Sequence, residues 1–165
     1  MKLTMFCRYP GVSFRPLAPT DIPALTNVIN AAYSYQDAAK GEPRTSEAKL
    51  AQRAAEVAFT LAESAGTIVG CVYLEPQGRT LHFGLLTVTP AYRGKGLAEA
   101  FLQAIDEYAN RGKFTQVELD YMSLAPWLKR YYERYGYAVS GRVTPWGTID
   151  LVQMSKPVAG ESGQV

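Results

Sequence analysis

A turn within residues 88–98 combines small and basic residues in a way that can hold a phosphate group. Its sequence, VTPAYRGKGLA, places Arg93 and Lys95 among Gly94, Gly96 and Ala98. Alternating apolar residues predict a strand before it, and helical periodicity predicts a helix after it. The start of a helix has unpaired N–H groups and the positive end of the helix dipole. Because small residues leave those amides accessible, the turn predicts an anion site suited to a pyrophosphate.

The turn differs from two common phosphate-binding motifs. It lacks the GK[ST] ending of a P-loop, and it lacks the three-glycine fingerprint of dinucleotide-binding folds. The alternative interpretation is an ordinary strand–helix turn whose glycines allow tight packing. The strands and helices predicted around the turn are therefore needed to distinguish an anion site from a packing turn.

The elements around this turn predict one mixed α/β domain. Periodicity predicts strands over residues 12–18, 57–64, 66–76, 81–88, 114–122, 137–143 and 148–158, and helices over 20–35, 46–56, 95–109 and 124–135. The unit from 81 to 122 should be a right-handed parallel crossover. We therefore expect a central, mixed, mostly antiparallel sheet of about seven strands with helices on both faces. Residues 1–158 form the expected domain, and residues 159–165 an expected disordered tail.

Single residues are expected to mark several of these boundaries. Ser46 and Ser123 can cap the second and fourth helices, as Thr20 or Asp21 can cap the first. Gly136 is a natural left-handed residue at the end of the last helix.

Two motifs on these elements resemble the GCN5-related N-acetyltransferase (GNAT) family. The family's acetyl-CoA-binding pattern is L-x-V-x-P-x-x-R-G-x-G, followed two residues later by Gly or Ala. This chain matches it at Leu86, Val88, Pro90, Arg93, Gly94, Gly96 and Ala98. A second segment, YYERYGY at residues 131–137, is similar to the family's lYeklGF segment. The predicted order of elements is also that of the family, so the resemblance covers nearly the whole chain.

The resemblance implies transfer of an acetyl group from acetyl-CoA to a primary amine by direct attack through a tetrahedral intermediate. In this family the parallel strands beside the motif splay apart. Backbone groups near Leu86 and Val88 would then bind the pantetheine arm. The amides of a run of six residues would hold the pyrophosphate, namely Arg93, Gly94, Lys95, Gly96, Leu97 and Ala98.

Tyr132 falls at the family's general-acid position. The reaction needs the departing thiolate to be stabilised or protonated, and a phenol placed near the sulfur can donate that proton. The chain contains 11 tyrosines, so a packing role is the alternative. Tyr131 and Tyr135 are interpreted as packing residues.

His82 is the candidate base. Some family members use a glutamate six residues before the position of Val88, and here that position is His82. An imidazole titrates near neutral pH and can accept a proton directly or through water. Strand alternation should place His82 on one face with Gly84, Leu86 and Val88. The alternatives are a structural histidine, or a water chain ordered by Glu118 or Asp120.

One position departs from the family pattern. Many members have an asparagine that contacts the cofactor seven residues before the tyrosine, but this chain has Ala125 there. Ser123 or backbone groups are the possible substitutes.

The acceptor site is expected among the first helices, their loop and the closing strands. Tyr33, Tyr35 and Tyr121 are the candidate binding residues, because aromatic rings near carboxylates can hold a cationic amine. Arg44 in the same loop is an alternative contact for an acceptor's carboxylate. A small-molecule amine is favoured, and a protein or peptide amine is the other possibility.

Composition excludes several other classes. The 17 basic and 15 acidic residues give a net charge of +2, too balanced to predict nucleic acid or an anionic membrane as partner. Two cysteines and one histidine without metal-ligand spacing predict no metal site. Two scattered thiols, a first segment unlike a signal peptide and the lack of a long apolar stretch favour the cytoplasm, and a single disulfide between the two cysteines is the alternative to free thiols.

Two other functions stay open at this point. One is a non-catalytic acyl-CoA-binding or protein-interaction module on a GNAT scaffold, because a fold does not fix a function. The other is a phosphate- or nucleotide-binding domain of another fold. Either a monomer or a homodimer paired through edge strands is compatible with the sequence.

Overall fold

The computed structural model describes residues 1–160, which form a seven-stranded sheet with helices. The strands are β1 (Ser13–Pro16), β2 (Ala58–Ser64), β3 (Thr67–Gln77), β4 (Thr80–Val88), β5 (Gln116–Met122), β6 (Ala138–Trp146) and β7 (Ile149–Pro157). The α-helices are α1 (Ile22–Ala32), α2 (Asp37–Lys40), α3 (Glu47–Glu56), α4 (Leu97–Arg111) and α5 (Pro126–Glu133). The predicted disordered tail falls mostly on residues 161–165, which lie outside the described residues.

The sheet has the predicted mixed character. Its strand order is β1-β2-β3-β4-β5-β7-β6. Neighbouring strands are antiparallel, apart from β4 and β5, which run parallel and are connected through α4. The expected mixed sheet and the parallel crossover are both confirmed.

The parallel pair is short. β4 and β5 pair at only three positions, where Thr80, Leu81 and His82 face residues 116–118. Beyond them β4 continues to residue 88 and β5 to residue 122 without pairing to each other. The two strands therefore separate in the middle of the sheet, as the resemblance implied.

A β-bulge interrupts β4 just after its paired part. Leu85 has a φ of 50°, and the register between β3 and β4 shifts there. The hydroxyl of Thr87 donates a 2.9 Å hydrogen bond to the Leu85 carbonyl, which also accepts from the thiol of Cys71. Such an extra residue reverses which side chains face each side of the sheet.

The bulge corrects one expectation about the strand faces. Leu86 and Val88 pack against the same core as Phe83, whereas Leu85 packs against the core on the other side. His82 therefore does not share a face with Leu86 and Val88, because the bulge breaks the two-residue alternation between them.

Helices cover both faces of the sheet, as predicted. One core contains buried residues of α4 and α5 packed on β3, β4 and β5, with Phe101 and Ile105 fully buried. The second core packs α1 and α3 on β2 and β3 around Leu25, Ile29 and Leu50. Burial of these apolar side chains on two sides is the main force that holds the helices on the sheet.

The helix ends agree only in part with the expected caps. The hydroxyl of Ser46 accepts a hydrogen bond from the Lys49 amide and caps α3, and Gly136 has the expected left-handed φ of 94°. Ser123 does not cap α5, because its hydroxyl accepts the amide of Asp150 instead. Asp21 forms an ion pair with Arg15 rather than a side-chain cap of α1.

Candidate active site

A cavity of about 590 Å³ opens where β4 leaves β5. It lies between the end of β4, the turn that begins α4, and one face of α5. Seven of the sequence-predicted cofactor residues line it: Leu86, Val88, Arg93, Gly94, Gly96, Leu97 and Ala98. The fold therefore brings the motif residues around one open space.

The turn before α4 presents unpaired amides. Gly94 and Gly96 have φ values of 70° and 88°, a region that glycine adopts without steric cost. Gly96 is the residue before α4, and no side chain in the described part of the chain caps this helix. Within residues 1–160, Ala100 is the first amide after Arg93 that donates to a backbone carbonyl. The intervening amides are free to bind an anion, and the helix dipole adds to that preference.

Tyr9 supports this turn from the N-terminal segment. Its hydroxyl donates a 2.7 Å hydrogen bond to the carbonyl of Lys95, and its ring packs edge-on against Tyr92 at 6.2 Å. The side chain of Lys95 is exposed and does not line the cavity. Sequence reasoning missed Tyr9, because its segment has no periodicity and lies 86 residues from its partner.

A second, smaller cavity of about 110 Å³ adjoins the first. It is lined by His82, Tyr121 and Arg44, together with Tyr73 and Asp120. Four residues line both cavities: Tyr33, Tyr35, Leu128 and Tyr132. The candidate acid, the candidate base and the candidate acceptor residues therefore surround adjoining spaces.

Tyr132 lies where the two cavities meet. Its ring packs against Phe83, Tyr131 and Tyr137, with centroid distances of 6.3, 5.2 and 5.9 Å. Burial raises the pKa of Tyr132 well above the usual value of a phenol. The hydroxyl therefore carries its proton at neutral pH and is able to donate it.

His82 and Glu118 form a buried pair at the last position where β4 meets β5. The Nδ1 atom of His82 lies 3.3 Å from Oε1 of Glu118. Beside an ionised carboxylate, which only accepts hydrogen bonds, a neutral imidazole ring carries its proton on Nδ1. Nε2 is then the nitrogen that can accept another proton.

Two tyrosines extend from the end of α1 toward the gap. The hydroxyl of Tyr33 donates a 3.2 Å hydrogen bond to the carbonyl of Leu86, in the part of β4 that has left β5. Tyr35 packs against the rings of Tyr33 and Trp127 at 5.9 and 5.4 Å. Burial raises the pKa of Tyr33, and it raises the pKa of Tyr35 to about 12. Both side chains are therefore neutral hydrogen-bonding groups at the cavity wall.

The turn between β6 and β7 closes over α2. The ammonium of Lys40 lies 3.7 Å from the ring centre of Trp146, and the hydroxyl of Thr148 donates to the Ala39 carbonyl at 2.6 Å. Helix α2 itself was not predicted, because it is a single turn within a segment expected to be a loop. These contacts join the turn between β6 and β7 to α2, which ends four residues before Arg44 in the sequence.

Helix α5 and the residue after it contribute further side chains to the larger cavity. Tyr131, expected to be a packing residue, lines the larger cavity together with Trp127, Leu128 and Arg134. The position of Leu128 at the cavity could have been predicted from the sequence. Residues three and four apart lie on one helix face, and Leu128 lies four residues before Tyr132. Ala125 is fully buried and Ser123 lines neither cavity, so the cofactor contact of the usual asparagine has no side-chain substitute there.

Residues 1–160 contain no group of three or more His, Cys, Asp or Glu side chains arranged to hold a metal ion. In this part of the chain, every helix is too short or too polar to span a membrane.

Comparison with known proteins places the chain in a family. The family model described as "Acetyltransferase (GNAT) domain" matches residues 29–158. A search of curated proteins found no significant match.

Solved structures share the fold at low sequence identity. The ribosomal-protein-S18-alanine N-acetyltransferase from Escherichia coli superimposes with a TM-score of 0.72 at 17% identity, covering 93% of this chain and 98% of that one. The PaiA N-acetyltransferase from Thermoplasma acidophilum, in complex with coenzyme A, gives 0.67 at 16% identity, covering 88% and 98%.

A third similar structure contains AcCoA. The GNAT superfamily phosphinothricin acetyltransferase from Sinorhizobium meliloti gives a TM-score of 0.69 at 18% identity, covering 90% of this chain and 89% of that one. Since the family model covers more than half of the chain, and the strand order, the splayed pair and the turn before α4 agree with it, the chain belongs to the GNAT acetyltransferase family.

Proposed function

We propose that this protein is an acetyl-CoA-dependent N-acetyltransferase that acts on the primary amine of a small acceptor. The observation that carries this proposal is the position of Tyr132, a buried and protonated phenol where a cavity lined by the phosphate-binding turn meets a second polar cavity. A donor and an acceptor could enter from the two sides and react beside its hydroxyl.

Acetyl-CoA fits the larger cavity. The free amides between Gly94 and Ala98 suit its pyrophosphate, and the basic side chains of Arg93 and Arg134 at the wall suit its phosphates. The unpaired stretch of β4 at Leu86 and Val88 suits the amide groups of the pantetheine arm. Two structural relatives with coenzyme A or AcCoA bound support this choice.

The proposed reaction uses the side chains that lie where the two cavities meet. The neutral amine of the acceptor attacks the thioester carbonyl, and a tetrahedral intermediate forms. His82, held by Glu118, accepts the proton that the amine loses, directly or through water. When the carbon–sulfur bond breaks, Tyr132 donates its proton to the departing thiolate.

The size of the smaller cavity favours a small acceptor over a protein. At about 110 Å³, this cavity is below the range of ~300–1,000 Å³ typical of pockets for drug-sized ligands. The contacts of Trp146 with Lys40 and of Thr148 with Ala39 hold the turn between β6 and β7 against α2, and Trp146 also stacks on Arg44 at the cavity wall. A cavity of this size suits a small amine better than a peptide.

The cytoplasm is the proposed location. Cys7 and Cys71 are both free thiols, which suits a reducing compartment.

Calorimetric titration with acetyl-CoA tests the proposal, with ATP and NAD as controls. We expect selective micromolar binding of acetyl-CoA. A panel of amines and amino acids would then be screened for release of free CoA thiol, with mass spectrometry of the product. Acetyl-CoA binding without any acetylated product would instead support a non-catalytic acyl-CoA-binding module. Absence of binding would identify the turn before α4 as a packing feature.

A further inference from the structure

Arg44 has an unusual environment beside the smaller cavity. The carbon at the centre of its guanidinium lies 4.8 Å from the ring centre of Trp146 and 5.7 Å from that of Tyr33. Stacked against aromatic rings, the planar group keeps its N–H edge for hydrogen bonds. Arg44 lines the smaller cavity but not the larger one, so the phosphates of a coenzyme there do not explain it.

The guanidinium has an unused hydrogen-bond donor. Its Nε is buried and makes no hydrogen bond within residues 1–160, and Arg44 forms no ion pair in that part of the chain. Buried donors are normally paired, and an arginine fork matches a carboxylate in two parallel hydrogen bonds. The guanidinium lines the smaller cavity and has no protein partner within residues 1–160, so it is available to an anion that arrives with the ligand.

Arg53 is a comparable arginine whose guanidinium does have hydrogen-bond partners within the protein. It lies 4.8 Å from the ring centre of Tyr73, so it is also stacked on an aromatic ring. Its guanidinium donates to both carboxylate oxygens of Glu75, at 3.3 and 3.0 Å. Arg53 lines neither cavity. The two arginines thus differ in whether the protein itself supplies the carboxylate.

The smaller cavity also carries acidic and basic groups suited to an amine. Asp120 and the His82 ring, itself bonded to Glu118, line it together with Arg44. A cavity with a cation and a carboxylate on its wall complements a ligand that has both charges.

We propose that the acceptor is a small amine that also bears a carboxylate, and that Arg44 binds this carboxylate. This inference rests on the proposed acetyl transfer for the fate of the amine. The carboxylate site itself does not depend on turnover. Arg44 then selects amino-acid-like acceptors over amines without an acid group.

The first test observes the site directly. The Nε–H resonances of arginine are recorded by NMR in the CoA-saturated protein during titration with L-amino acids and, separately, with their α-carboxamides. Loss of a signal in the Arg44→Lys and Arg53→Lys variants assigns the two resonances. We expect the Arg44 signal to shift with the acids and not with the carboxamides, while the Arg53 signal does not move. An Arg44 signal that responds to no carboxylate overturns the proposal.

The second test measures selection during turnover. The ratio of kcat/KM for an amino acid to that for its carboxamide is compared in the wild type, R44Q and the control R53Q. We expect R44Q to lower this ratio by roughly 10- to 100-fold, because a charged hydrogen-bonded contact is lost. R53Q should keep the wild-type ratio. Should R44Q fail to fold, R44K keeps the charge, loses the fork and should still lower the ratio.

The outcomes separate the two proposals. If acids and carboxamides are acetylated equally well by the wild type, the carboxylate site is wrong and acetyl transfer stands. If nothing is acetylated and acetyl-CoA does not bind, acetyl transfer is wrong, and the same NMR titration of the protein without CoA still decides whether Arg44 binds carboxylates.

Discussion

Replacing Tyr132 with phenylalanine tests whether its hydroxyl takes part in chemistry. The ring packs against Phe83, Tyr131 and Tyr137, and phenylalanine keeps that ring in place. Within residues 1–160 the Tyr132 hydroxyl makes no hydrogen bond, so no protein group loses a partner. The change in the free energy of unfolding should therefore stay below about 1 kcal/mol.

The effect on turnover should be large. General acid catalysis contributes about 10²- to 10⁴-fold to the rate. At about 1.36 kcal/mol for each factor of ten, Y132F should raise the activation barrier by roughly 3 to 5 kcal/mol. The Kd for acetyl-CoA should change little, because the hydroxyl acts on the sulfur only as it departs. Release of CoA thiol under saturating acetyl-CoA measures kcat, and calorimetry measures the Kd.

The pH dependence adds an independent check. Burial raises the pKa of Tyr132 well above the usual value, so its protonated form persists as the pH rises to about 10. Loss of the Tyr132 proton should therefore not lower kcat between pH 7 and 10. A basic limb with an apparent pKa near 8 that disappears in Y132F would contradict the assigned environment.

Tyr137 provides the matched control. Its ring belongs to the same cluster, its hydroxyl is buried without a partner among residues 1–160, and it lines neither cavity. Y137F should keep the wild-type kcat, and it should not lower stability, because it removes an unsatisfied polar group. Full activity in Y132F, or equal losses in both variants, would refute the role of Tyr132 as acid.

Three further changes probe the base, the sheet and the thiols. Glu118→Gln should lower kcat roughly 10- to 100-fold, because the charge-assisted contact that orients His82 is weakened; wild-type kinetics in this variant would remove Glu118 from the mechanism. Gly70→Ala would place a Cβ atom 2.8 Å from the carbonyl oxygen of Thr87 in β4. Urea unfolding should therefore show a free energy of unfolding lower by about 1–3 kcal/mol, and an unchanged midpoint would contradict this close approach. Burial raises the pKa of Cys7 and of Cys71 to about 12. A disulfide reagent at pH 8 should therefore react with both thiols only after the protein unfolds. Rapid reaction of the native protein would contradict the burial of these thiols.

Local patterns in the sequence account for much of the fold. Gly136 adopts the positive φ value expected at the end of a helix, and Gly94 and Gly96 in the turn before α4 also have positive φ values. Two-residue and helical periodicity predicted the strands and the larger helices, because each buries one face in a core on either side of the sheet. All candidate cofactor residues except Lys95 also line one cavity, since they follow each other on β4, the turn and α4.

Features that depend on contacts between residues far apart in the sequence could not be predicted from it. Leu85 forms the bulge although leucine has no preference for positive φ, and its carbonyl is held by Cys71 and Thr87. Arg44 meets Trp146 only because the turn between β6 and β7 reaches the segment after α1. Such contacts depend on the order of strands in the sheet, which single-residue patterns do not encode.

The early separation of β4 from β5 gives this protein two strand edges inside its own sheet. Edges with free N–H and C=O groups usually invite another polypeptide and are a source of aggregation. Here the two edges converge to a paired position at His82 and Glu118, and Tyr33 and Tyr132 line the space that they leave. A third polypeptide strand would need about 4.8 Å of spacing on each side, which a converging wedge does not offer along its length. A thin chain with amide groups can enter it. The same geometry that suits a slender ligand therefore disfavours the addition of a third polypeptide strand at these two edges.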